Sequence, residues 1–262
     1  MKISIQPLIA EILKTRHTKI TWITFLAFTI GPIMGGLFMF IAQHPEAVKE
    51  SSLIKNKAAL LAFTADWNSY LGLLDQVVGM GGVILFGFVA SWIFGREYSD
   101  GTAKDLLALP LPRIQIIHAK FFTYLFWCLA LAIFNFTVGV LIGILLNLPG
   151  YSGEILSEHL KIYLITTLLT IALGPPVAFI ALVGRGYLAP LGFVIFTMIF
   201  AQIIAAIGLG TYFPWSIPAL FSGAAGEYKE ALNLVSYGIL IFTSVGGYLI
   251  SILWWKHADQ TK

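Results

Sequence analysis

Six long apolar runs decide what this chain can fold into: residues 20–42, 71–95, 114–147, 160–183, 187–210 and 231–255. A helix needs about 20 apolar residues to cross roughly 30 Å of hydrocarbon, and every run reaches that length. Backbone inside a bilayer must satisfy its own hydrogen bonds, which for runs of this kind means helices. The expected fold is therefore all-α: one transmembrane domain over residues 1–262, a polytopic protein with six transmembrane helices in the cell (inner or plasma) membrane. Charge agrees with this. Asp, Glu, Lys and Arg make up 11% of the 262 residues, less than half the roughly 25% of a soluble domain.

Between the runs lie segments with characters of their own. Residues 3–16 place Ile5, Leu8, Ile9, Ile12 and Leu13 at helical spacing with polar residues between them, so residues 1–19 are expected to form an amphipathic interfacial helix feeding the first span. The run that follows is too long for the apolar region of a cleaved signal. Gly31-Pro32, the glycines between Gly79 and Gly82, and Gly174-Pro175-Pro176 predict bends or close helix contacts inside the first, second and fourth spans. A short loop carrying Pro149, Gly150, Glu154 and Glu158 precedes the fourth span. Residues 211–226, TYFPWSIPALFSGAAG, are apolar but too short to cross, and predict a re-entrant or interfacial hairpin between the fifth and sixth spans.

Counted on alternate sides of six spans, Lys and Arg divide eleven to five of the 16 in the chain. The richer side holds both termini and the segment 94–120, which places them in the cytoplasm. The net charge of +3 follows this sidedness and gives no reason to expect nucleic acid. Cys128 is the only cysteine, so no intrachain disulfide is possible. The five histidines are far apart in sequence with no carboxylate or cysteine at ligand spacing, and no metal site is expected. No GxxxxGK[ST] phosphate loop occurs, so any nucleotide-driven work belongs to another chain.

The segment FGREYSDGTAKDLLALPLPRIQIIHAK, Phe94 to Lys120, is a charged island with local structure of its own. Arg96 and Glu97 end the second span, and Ser99-Asp100-Gly101 is turn chemistry. Thr102 followed by Asp105 has the spacing of a capping box, so a helix is expected to begin near Ala103. Leu106, Leu107 and Leu109 supply apolar anchors; Pro110 and Pro112 stop the helix, and Arg113 leads back to the membrane. A short capped helix with exposed leucines, held on two membrane helices, suits docking in a groove on a soluble partner.

The pattern Glu97, Gly101-Thr102, Leu106-Leu107, Pro110, Arg113 and Lys120 after a second span resembles the signature of ABC-2 type transporter permeases. The resemblance covers the whole chain, with departures at Ala103 and Pro112. It implies the permease subunit of an ABC exporter, working as a dimer (a homodimer if no paralogue pairs with it) with two copies of a separate ABC ATPase subunit. Residues 100–109 would be the coupling helix, comprising Asp100, Gly101, Thr102, Asp105, Leu106, Leu107 and Leu109, with Arg96, Glu97 and Arg113 at the membrane edge. This chain would bind no cofactor and do no bond chemistry, ATP and Mg residing on the ATPase. The cargo implied is hydrophobic or amphipathic, such as a peptide antibiotic, drug or lipid-like molecule.

Polar residues within the runs are candidates for the transport pathway. Asp75 and Gln76 lie about 20 residues from Arg96, which sets them near the outer surface. Asn135 and Gln202 fall in mid-span, where they either bond between helices or face a cavity. Two alternatives stand beside the exporter. An ATPase-independent channel or secondary transporter would carry intramembrane charge or an inverted repeat. An intramembrane enzyme would carry catalytic motifs that are not apparent here.

Overall fold

A computed structural model describes residues 6–16, 18–44, 64–103, 106, 111–224 and 232–257. Helix α1 (Gln6–Arg16) leads into α2 (Lys19–Gln43); α3 (Trp67–Ser99), α4 (Arg113–Leu145), α5 (Gly153–Val183) and α6 (Leu188–Ala206) follow. A one-turn helix α7 (Ile217–Phe221) precedes α8 (Leu234–His257). Six of these, α2 to α6 and α8, are long and apolar enough to cross a membrane. The bundle alternates in direction, so the start of α4, the end of α3, the α5–α6 turn and the end of α8 gather at one end, called here the basic end.

Lipid tails are as apolar as leucine, so membrane helices are held together by close packing and polar contacts rather than by escape from water. In this bundle α3 is the most enclosed helix: 67% of its apolar window is buried, against 22% for α6 and α8. Where the sequence breaks helical geometry, a neighbour repairs it. Pro32 has no N–H, which leaves the Phe28 carbonyl of α2 without its helical donor; Asn135 Nδ2 of α4 donates to it at 2.7 Å. Pro175 deprives Ile171 in the same way, and the Tyr124 hydroxyl of α4 donates to that carbonyl at 3.0 Å. In α3, residues Val77–Gly81 form a π-helical turn, and Thr170 Oγ1 reaches the Val78 carbonyl at 3.4 Å. Both proline repairs come from α4, whose 33 residues contain no proline.

Several boundaries differ from those the apolar runs suggest, and the caps explain why. Ser152 Oγ accepts from the Ile155 N–H, so α5 starts at Gly153 and takes in Glu154 and Glu158, which were expected in a loop. Asp66 accepts from the Ser69 N–H at 2.8 Å, starting α3 at Trp67. Gly208, with φ of +82°, ends α6 four residues early. Within the expected hairpin, Gly210–Tyr212 and Pro214–Ser216 are 3-10 turns that lead into α7. Trp215, Ile217 and Leu220 are buried, and this segment folds back on the π-helical turn of α3, where a Cβ on Gly79 would meet the Pro218 carbonyl and Ser222. Residues 225 and 226 of the hairpin lie outside the described residues.

Helix α1 is amphipathic in the sense opposite to a helix on water. Glu11 and Thr15 are buried against the bundle, while Ile9, Ile12 and Leu13 are exposed. That arrangement suits a helix whose outer face meets lipid.

Candidate functional site

At the basic end, α3 stops with Asp100 donating its N–H to the Arg96 carbonyl at 2.7 Å and Gly101 to that of Tyr98. Gly101 takes a φ of +71°, a left-handed conformation that glycine adopts without steric cost. Asp100, Gly101 and Thr102 are exposed. Ala103 and Leu106 are helical, and the Leu106 N–H donates to the Thr102 carbonyl at 3.1 Å. Leu106 is half-buried and packs against the core, so it is not one of the freely exposed leucines the sequence suggested. Asp105, Leu107 and Leu109 lie outside the described residues. Across the segment, Arg113 opens α4; its carbonyl accepts from Trp255 Nε1 at 3.0 Å, and its guanidinium reaches the Lys256 carbonyl. Gly95 lies so close to the α5–α6 turn that a Cβ there would sit 2.6 Å from the Gly186 carbonyl. The segment is thus rooted in the ends of α3 and α4, which pack against the α5–α6 turn and α8.

Beneath it lies a buried charge cluster joining three helices. Glu11 of α1 accepts from Lys14 (2.7 Å) and from Arg96 of α3 (3.2 Å), and pairs with Lys120 of α4 (3.5 Å). Glu97 of α3 pairs with Lys120 at 2.5 Å and with Lys14 at 3.2 Å. Lys120 also donates to the Ile93 carbonyl at 2.9 Å. Three cations share two carboxylates, and all but Lys14 are nearly sealed from solvent: Lys120 is 1% exposed, Glu11 3%, Glu97 4% and Arg96 7%. On the membrane side the Arg96 guanidinium lies 4.4 Å over the Trp92 ring, and Trp92 packs edge-on against Trp127. Arg96 and Glu97, adjacent in sequence, approach each other only to 4.0 Å, because each is spent on other helices.

The cluster's chemistry is mechanical. Apart from those of the part-exposed Lys14, the ion pairs across it are charge-assisted contacts in a dry site, where breaking one partner costs far more than at a surface. The five side chains therefore tie α1, α3 and α4 to one another beside the Asp100–Arg113 segment. Burial by itself pushes the Glu11 carboxyl up, but Lys120, Lys14 and Arg96 together hold it below its ordinary value of 4.5. A depressed carboxylate contributes stability that is present above its unfolded value and disappears as pH falls through the folded one. Acidification from about 4.5 downward should accordingly release α1. A spin label at Ile9→Cys, with Cys128→Ala, should become mobile over that range, and the pH dependence should shrink once Glu11→Gln is added, leaving only the Lys14–Glu97 pair on α1.

The sequence pointed to Arg96 and Glu97 but not to Glu11 or Lys14. Lys120 carried a usable signal, a lone cation among Ile116, Ile117, Phe121 and Phe122, which demands a partner in an apolar setting. Glu11 carried none, since a glutamate on the polar side of an amphipathic helix is what a solvated face would also show.

The other polar candidates separate. Asn135 bonds between helices, giving its amide N–H to Phe28 while its oxygen stands 3.0 Å from the Tyr163 hydroxyl. Gln76 lines a groove of about 510 Å³ between α2 and α3, otherwise walled by residues such as Phe28, Met34, Val77 and Leu85. Gln202 is exposed on α6. Asp75 is fully buried inside the bundle, nine residues into α3, and bonded to His159 Nδ1 at 2.7 Å. Among the described residues, no group of three or more His, Cys, Asp or Glu could hold a metal ion.

A sequence model of the family described as ABC-2 family transporter protein matches residues 8–202. The bacitracin transport permease protein BCRB of Bacillus licheniformis is 29% identical over 199 residues, covering 74% of this chain and 90% of that protein.

Proposed function

This chain belongs to the ABC-2 family of transporter proteins, and from that premise we propose that it is the membrane-spanning subunit of an ATP-driven exporter whose basic end faces the cytoplasm. Two protomers form the translocation pathway and two copies of a separate ABC ATPase dock beneath them, ATP and Mg residing there. The observation that carries this reading is the buried cluster under the Asp100–Arg113 segment. A loop that merely connected two spans would not need five charged side chains from three helices locked beneath it, whereas a segment that receives force from a partner does.

In this mechanism the ATPases close on ATP and push the coupling helix, about Asp100 to Leu109. The cluster passes that push to α3, α4 and α1 as one body. The broken helices α2, α3 and α5 bend where proline or the π-helical turn weakens them, and α4 is the unbroken post against which they bend. The large uncovered apolar faces of α6 and α8 support a protomer contact there. The cargo is a hydrophobic or amphipathic compound; the relative named for bacitracin transport supports an antibiotic of that kind.

Co-purification tests the proposal. The chain, expressed with an ATPase encoded beside it, should elute as a complex. Leu107→Asp with Leu109→Asp should abolish the complex while leaving the chain inserted and thermally stable, because Leu106, which packs on the core, is kept. A complex that survives both changes would remove docking from this segment. A chain that moves cargo with no ATPase bound would make it a secondary transporter or channel instead.

A further inference from the structure

At the end of the bundle away from the termini, α3 and α5 are joined by a contact that the proposed coupling mechanism does not use. Asp75 of α3 is 1% exposed. Its Oδ2 lies 2.7 Å from His159 Nδ1 of α5, and His159 Nε2 lies 3.1 Å from Asn68 Oδ1, two helical turns before Asp75. Both ring nitrogens therefore face oxygen. A doubly protonated imidazolium donates to both and neutralises the buried carboxylate; a neutral ring has one proton for two acceptors and must turn the Asn68 amide over or give up a bond. The His159 side chain is 12% exposed and the Asp75 side chain 2%, so the ring is the member that can exchange a proton with solvent.

We propose that Asp75 and His159 form a proton-operated latch that ties α3 to α5 while the ring carries both protons and loosens when one is lost. Its location gives it leverage. Asp75 is two residues from the start of the π-helical turn at Val77, and His159 is on the same helix as the break at Ala172–Leu173. Opening the latch frees the outer segments of both bent helices without touching the charge cluster at the basic end.

Among the described residues few other groups can compete for this proton, and His44, at the end of α2, stands by the Phe40 carbonyl. On α3 the nearest other acid is Asp66, whose oxygens are taken by Thr64 and the Ser69 N–H. On α5, Glu154, Glu158 and Lys161 are exposed, and Tyr163, one turn on, is within electrostatic reach of Asp75 while its hydroxyl stands by Asn135 and Ala132. The facing half of α4, Ile133–Leu145, carries no ionisable side chain, nor do Val77–Gly81 or α7. In the α4–α5 connection Tyr151 packs against Trp67. Histidine is the side chain whose ordinary charge change falls between about pH 5 and 8, and the latch is an arrangement that such a change makes or breaks.

The test uses the full chain in lipid nanodiscs with 15N-labelled histidine. The His159 signals are assigned by their loss in His159→Gln or, should that variant fail to fold, by elimination with the other four histidines replaced. At pH 6 both His159 nitrogens should be protonated, and at pH 9 one should not. The thermal midpoint of the wild type should fall by about 4 °C over that interval, and His159→Gln and Asp75→Asn should each remove that fall. A His159 ring that is neutral at pH 6, or equal pH slopes in wild type and both variants, would show that the contact is packing alone. Because none of these readings involves an ATPase, failure of the latch and failure of the exporter assignment are separate results.

Discussion

Glu97→Gln should lower the thermal midpoint of this protein by about 10 °C and abolish coupled transport, although it exchanges one oxygen for an amide of the same size. In the native cluster three cations, Lys14, Arg96 and Lys120, face two carboxylates, Glu11 and Glu97. Removing one carboxylate leaves Lys120, at 1% exposure, with its closest partner gone and Glu11 shared among three positive groups. Breaking a buried pair on one side costs about 3–5 kcal/mol because the survivor stays charged in a dry site. The sharper check is the double variant. Glu97→Gln with Lys120→Met restores the cluster's original excess of one positive charge, so much of the lost stability should return, with a coupling energy of about 1–3 kcal/mol. Transport should not return with it, because α3 and α4 would no longer be joined through that pair. Equal midpoints for Glu97→Gln and wild type would mean that the cluster does not bear on the fold.

Asn135→Leu should destabilise the bundle by about 1–2 kcal/mol, and most of that loss should vanish when Pro32→Ala is present. The reason is one carbonyl. Phe28 of α2 would normally accept from the N–H four residues on, but residue 32 is proline, and the Asn135 amide supplies the missing donor at 2.7 Å. In Pro32→Ala the backbone N–H returns, so the carbonyl no longer depends on α4, and leucine at position 135 leaves only the Tyr163 hydroxyl to settle on the Ala132 carbonyl, which it already approaches at 3.0 Å. The same double variant should also transport poorly, since it straightens a helix that bends in the proposed mechanism. Additive losses in the thermal midpoints of the two single variants would mean that Asn135 holds something other than the proline gap. Tyr124, which fills the gap left by Pro175, offers a second instance of the same arithmetic.

Much of this protein could be read directly. Apolar run length gave six crossing helices, and glycine and proline marked the places where α2, α3 and α5 depart from regular geometry. Charge composition excluded a soluble domain, and the residue pattern from Glu97 to Lys120 resembled the family to which the chain belongs. All of these signals are local: a helix is specified by neighbours within a few residues, and a crossing by the sum of about twenty side chains. What the runs could not give was the length of helix added by caps, which is why α5 begins at Gly153 under Ser152 instead of where its apolar run begins.

The site divides along the same line. Arg96 and Glu97 drew notice as neighbours at a membrane edge, yet in the folded chain each serves another helix, with Glu11 85 positions away from Arg96. Asp75 reads in the sequence as an interfacial acid and His159 as one of five scattered histidines; the fold sets them 2.7 Å apart across 84 residues. Asn135 could equally have faced a cavity. The sequence by itself determined that the chain crosses a membrane six times, where its helices are weak, and which segment stands out at the charged end. Only the tertiary structure decided which charges neutralise one another and which side chains mend which breaks, because in a dry interior a polar group's meaning is set by its partner, and the partner is chosen by the rotation and packing of helices that no local pattern encodes.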